Sequence, residues 1–122
     1  MSAEPWETKE KKAWYTVLAI FLREGTLKNA DEYIKLIENG KKKREKLLLS
    51  VLRIIADADK NSEKFEKDFR AYMKYYKSHE FPQKSYPDKL AIDGTIMFNI
   101  ARHHGMKVEF PKEYIDHYIF LG

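Results

Sequence analysis

The sequence predicts an all-α fold, a compact bundle of five to six helices around a central apolar helix at about residues 42–59. Three observations carry this. Apolar residues recur every three or four positions in five successive segments, the period of a helix with one buried face. The 122 residues include only 5 Gly and 4 Pro, too few for a turn-rich β sandwich. Cysteine is absent, so no disulfide framework, thiolate zinc site or cysteine nucleophile organises the chain. A chain of this length is expected to form one domain, 1–122, with a core large enough to stand without staples.

The first helix is expected from Glu7 to about Arg23, with Ala13, Trp14, Val17, Leu18, Ile20 and Phe21 at helical spacing and Gly25 as its stop. A short second helix follows, about Ala30 to Asn39, with Tyr33, Ile34 and Ile37 apolar, Asn29 as N-cap and Gly40 as terminator. The third helix, Lys42 to Asp59, carries Leu47, Leu48, Leu49, Val51, Leu52, Ile54 and Ile55 and keeps almost no polar face in its middle. A helix of that kind belongs inside a bundle. Ser62 is read as the N-cap of a fourth helix whose stripe is Phe65, Phe69, Tyr72, Met73 and Tyr76, ended by Phe81-Pro82.

A fifth helix is expected from Asp88 to His104, with Leu90, Ile92, Ile96, Met97, Ile100 and Ala101 apolar and Gly105 just past its end. Met106, Val108 and Phe110 alternate with Lys107 and Glu109, which reads as a short extended stretch. Pro111 then opens a last short helix through Tyr118.

Lys+Arg is 23 against 19 Asp+Glu, a formal charge of +4, and much of the excess sits in Lys41-Lys42-Lys43-Arg44. Those cations stand at the start of a helix, where the dipole disfavours them by a few tenths of a kcal/mol each. Helix stability alone would place acids there. The cluster therefore reads either as a patch aimed at an acidic surface or a phosphate, or as a solvated turn beside a greasy helix. A helix-turn-helix reading meets a physical objection, because a recognition helix needs a polar outward face and the third helix past Glu45 has little of one to offer. Weak non-specific nucleic-acid binding is the remaining alternative on that side.

The segment Tyr75 to Pro87, with Tyr75, His79, Phe81 and Tyr86, combines aromatic and polar side chains in a way that suits partner binding; its bland counterpart is a loop whose rings fold back on the bundle. Asp93, on the apolar side of the fifth helix, needs a donor or a raised pKa, and a structural hydrogen bond to a tyrosine, arginine or backbone amide is favoured over a catalytic or metal role. Gly94 beside it points to a close helix–helix approach. His103 and His104 are adjacent and diverge by about 100° around a helix, so they do not chelate one ion together. No GxGxxG, GxxxxGK[ST] or GxSxG occurs. The expectation is a binding protein rather than an enzyme, with no cofactor and no metal, as monomer or homodimer. The beginning Met1-Ser2-Ala3-Glu4-Pro5-Trp6 lacks the pattern of a secretion signal, and no apolar run approaches the roughly 20 residues of a membrane span, so a cytoplasmic location is the default.

From Asp88 to Phe120 the chain resembles the C-terminal end of helical immunity proteins of bacterial polymorphic toxin systems. The carriers are an apolar helix ending Ala101-Arg102-His103-His104-Gly105-Met106, a short alternating segment, then Tyr114 and an apolar terminus. The resemblance implies a single-purpose inhibitor that blocks a cognate protein toxin by binding it. That family has no universal inhibitory residue, so none is carried over. The N-terminal helices have no part in the resemblance. The competing expectation is a small basic helical protein associated with nucleic acid, and a third is a small enzyme centred on Asp93.

Overall fold

The computed structural model describes residues 8–80 and 92–113. They form five α-helices: α1 (Lys9–Glu24), α2 (Asp31–Asn39), α3 (Lys43–Ala56), α4 (Ser62–Tyr75) and α5 (Ile92–His103). A 3-10 turn, Lys28–Ala30, leads into α2, and a π-helical turn, Tyr76–Glu80, continues α4. There is no strand among the described residues. The all-α bundle expected from the sequence is the fold observed.

Local chemistry sets the helix ends. Thr8 caps α1 by accepting a hydrogen bond from the Lys11 N–H at 3.1 Å, and Gly25 closes the helix in the left-handed region at φ +75°. α4 is capped by Asn61, whose side-chain oxygen accepts from the Lys64 N–H at 3.0 Å. The cap therefore falls one residue before the expected Ser62. Asn29 does not cap α2 either. It lies in the 3-10 turn and donates to the Glu24 carboxylate at 2.8 Å, leaving Ala30 at the cap position without a side-chain bond.

α3 stops at Ala56, three residues before Asp59, and Lys60 donates its ammonium to the Ile55 carbonyl at 3.0 Å. A cation at the negative end of a helix satisfies carbonyls that no further turn can reach. At the end of α5, the Met106 N–H bonds back to the Ala101 carbonyl and the Gly105 N–H to the Arg102 carbonyl, with Gly105 at φ +87°. This is a Schellman closure, and only a residue without a Cβ adopts its left-handed position cheaply.

α3 touches each of the other four helices. Leu48, Val51, Leu52 and Ile55 on it are fully buried. It still keeps a polar edge, because Lys46 and Arg53 are exposed and Leu47 and Ile54 only half-buried. α3 and α4 run antiparallel, with the Ser50 hydroxyl donating to Asp68 at 2.5 Å between them. Every residue of the α4 stripe is buried: Phe65, Phe69, Tyr72, Met73 and Tyr76. Phe69 stacks on Phe65 and meets Phe110 edge-on at 5.3 Å, and Phe98 meets Phe110 in the same way. Each such ring contact adds roughly 0.5–1.5 kcal/mol to the area it buries.

Met106 to Phe110 is neither helix nor strand, with Met106, Val108 and Phe110 buried and Lys107 and Glu109 exposed. The alternation expected from the sequence packs this stretch against α4 and α5 without pairing into a sheet. A helical turn begins at Lys112 and Glu113 after Pro111, and Arg70 of α4 reaches Glu113 at 3.1 Å. The remainder of the expected last helix, to Tyr118, lies outside the described residues, as does the expected start of α5 at Asp88.

Two ends of the bundle follow from these pairings. Glu10 of α1 packs on Gly40, and Arg44 of α3 pairs with Asp93 of α5, so α1, α3 and α5 begin at one end. At the other, the Phe21 and His104 rings lie 5.1 Å apart. His104 is held below its ordinary pKa, first by burial and then by the nearby charges of Lys60 and His103.

Candidate functional site

The first end gathers side chains that are far apart in the sequence. Lys41, Lys42 and Lys43 are exposed at the turn into α3, and Lys42 sits at its N-cap position with no side-chain hydrogen bond to the helix. Tyr75, half-buried in the last turn of α4, lies beneath the Lys43 ammonium, which is 6.0 Å from its ring centroid. That is cation–π range, and it joins two of the surface elements singled out in the sequence. Lys9 and Lys74 are exposed at the same end.

Arg44 behaves differently from the three lysines before it. Its side chain is 13% exposed, donates to Glu45 at 2.6 Å and pairs with Asp93 across the α3–α5 interface. Asp93 thus finds an arginine, the structural role favoured for it. One guanidinium holding two carboxylates at 5% and 15% exposure is a fixed part of the fold rather than a flexible surface cation. The lysine turn is therefore pinned from below.

Acids occupy the first turns of all three helices that begin here: Glu10 in α1, Glu45 in α3 and Asp93 in α5. Each meets the positive end of its own helix. The same end thus has a layer of buried or half-buried carboxylates under a rim of exposed ammonium groups.

Glu10 is only 8% exposed. Its carboxylate lies against Gly40, where a Cβ would stand 2.4 Å from Oε2. Gly40 is extended (φ −81°, ψ −177°), so left-handed geometry does not call for glycine here, and what a Cβ would meet is the Glu10 side chain. Glu10, Gly40, Leu36, Lys9, Lys41 and Lys42 line a cleft of about 630 Å³. Glu10 is not among the residues that the sequence singled out. The signal was there, since position 10 lies three and four residues before Ala13 and Trp14 on the buried stripe.

His79 belongs to the π-helical turn, while Phe81 and Tyr86 lie outside the described residues. Among the described residues, no group of three or more His, Asp or Glu is arranged to hold a metal ion, and no helix is long and apolar enough to cross a membrane. Compared with protein-family models, curated proteins and solved structures, the chain matches none.

Proposed function

We propose that the chain is a protein-binding module of immunity type, which neutralises a cognate protein toxin by docking the lysine-bearing end of the bundle on an acidic surface of it. The observation that carries this reading is the juxtaposition of exposed Lys43 with half-buried Tyr75, which turns two separate sequence elements into one basic and aromatic patch. An aromatic ring gives contact area at small entropic cost, and lysines around it steer an acidic partner and reject a basic one. The patch stands on a support that does not need the lysines, since the Arg44 pairs fix α3 to α5.

The competing reading uses the same lysines for nucleic-acid phosphates. Two measurements separate the readings. Co-expression with the product of the reading frame immediately upstream should give a complex that survives purification and is weakened by K41E/K42E/K43E and by Y75A. Failure of that neighbour to co-purify removes the main support. Retention on a DNA column that collapses steeply with salt would favour the alternative.

A further inference from the structure

The lysine end offers a partner charge but little apolar area, since Tyr75 is half-buried. Interfaces draw most of their affinity from a few large apolar or aromatic side chains, while a charged rim chiefly steers. Among the described residues the exposed large hydrophobic side chains are Tyr15, at 44%, and Leu22, at 59%, and both stand on α1. They are two helical turns apart, with exposed Ala19 four positions after Tyr15 and three before Leu22, so the three share one outward stripe. The opposite face of α1, with Trp14, Val17 and Phe21, is the one that anchors the helix in the core.

The charges beside the stripe restrict what covers it. Exposed Lys12 and Arg23 follow one edge and half-buried Lys11 the other. Arg23 pairs with Glu24 at 3.3 Å yet keeps 69% of its side chain exposed. From Lys9 to Arg23 the helix exposes no acid, because Glu10 is buried. A second copy of the chain fits poorly. With two α1 helices antiparallel and Tyr15 of each over Leu22 of the other, Lys12 of one nears Arg23 of the other, and the two-fold axis repeats the clash. A lipid surface needs a wider apolar face than three residues, one of them alanine, supply. An acidic protein surface answers the cations and the stripe together.

The stripe is also continuous with the lysine end. Lys9 lines the same cleft as Lys41 and Lys42, and Lys12, one turn on, leads from it to Tyr15. From Lys9 to Leu22 is about 20 Å along the helix. A standard interface covers about 800 Å² of each partner, roughly 30 Å across, so one partner reaches both. We infer that the outward face of α1 is the apolar half of the docking surface, with Tyr15, Ala19 and Leu22 receiving an apolar part of the partner that carboxylates flank. This rests on the acidic-partner reading given above and adds the place where most of the affinity resides.

Calorimetric titration of the upstream-encoded protein into the parent chain and four variants tests this, with each melting temperature as the check on folding. Y15A/L22A is expected to lower the affinity by about tenfold or more. A19E and A19Q put side chains of nearly equal size on the middle of the stripe, and A19E should bind about fivefold more weakly than A19Q, since it alone opposes carboxylates. That pair decides the matter should Y15A/L22A fail to fold. K41E/K42E/K43E reports on the lysine end separately. Affinity unchanged in Y15A/L22A but lowered in K41E/K42E/K43E overturns the α1 face and leaves the acidic-partner reading standing. Equal affinities of A19E and A19Q overturn the acidic character of what covers the stripe. No binding to the parent chain overturns both the α1 face and the reading beneath it. A dimer of the chain alone in sedimentation, or binding to phosphatidylserine vesicles, that Y15A/L22A abolishes would give the stripe to a second copy or to lipid and overturn the inference.

Discussion

The two ends of the bundle treat charge in opposite ways. Where α1, α3 and α5 finish, basic residues fill the last turns, Arg23, Arg53 and Arg102 with His103, as the negative ends of helices prefer. Where those helices start, acids are drawn into or toward the interior while Lys41, Lys42 and Lys43 stand exposed at the rim. The carbonyl ends of α2 and α4 arrive there too and offset part of the field. Lys42 and Lys43, at the N-cap and first position of α3, still stand against it. One end follows helix electrostatics, and the other departs from it only on its outermost layer, the layer that another molecule would meet.

The largest way to break this comparison is to remove a cation from each half. Arg44→Ala strands Glu45 and Asp93 at low exposure and should cost about 3 kcal/mol in urea unfolding, the range found when a buried pair loses one member. Arg53→Ala removes an exposed partner of Glu38, with both side chains nearly half exposed, and should cost less than about 1 kcal/mol. Similar costs for the two would contradict the distinction between a pinned and a solvated arginine.

Two glycines sharpen it next. Gly40→Ala drives a Cβ toward the Glu10 carboxylate at 2.4 Å and should cost about 1–3 kcal/mol through overpacking. Gly25→Ala meets open space and is opposed only by its φ of +75°, so about 1 kcal/mol is expected. A double-mutant cycle on Lys43 and Tyr75 should return a coupling of about 0.5–1 kcal/mol. Zero coupling would separate the two halves of the proposed patch.

The smallest effect lies at the far end. Because His104 is held below its ordinary pKa of 6.5, chiefly by burial, the unfolded chain binds more protons than the native one between the two values. The stability this represents is present above pH 6.5 and is lost as pH falls toward the native-state pKa. Thermal melts from pH 7.5 to 5.5 should therefore drop more steeply for the parent than for H104Q, and Lys60→Met should reduce the slope by removing one of the repelling charges.

Much of the fold was legible because each helix buries one stripe and the stripes are chemically plain. Phe65, Phe69, Tyr72, Met73 and Tyr76 announce α4 by spacing alone, and Gly25 and Gly105 announce stops that only left-handed geometry requires. The caps of α2 and α4 were less legible because Asn29, Asn61 and Ser62 are all good cap residues, and which one serves depends on how the preceding chain arrives. The site was legible in part. Lys41–Lys43 stand out as a charge block, but nothing local says that Arg44 turns inward, since its partner Asp93 is 49 residues away. Gly40 likewise read as a simple helix stop, and what a Cβ there would meet is a side chain from α1.

The central claim is that the exposed lysines recognise another protein and contribute nothing needed for folding. Calorimetric titration of the upstream-encoded protein into the parent chain and into K41E/K42E/K43E, each checked by its melting temperature, tests it most directly. The expected result is an affinity lowered by about tenfold or more with the melting temperature retained or slightly raised. Unchanged affinity, or a variant that no longer folds, would contradict it.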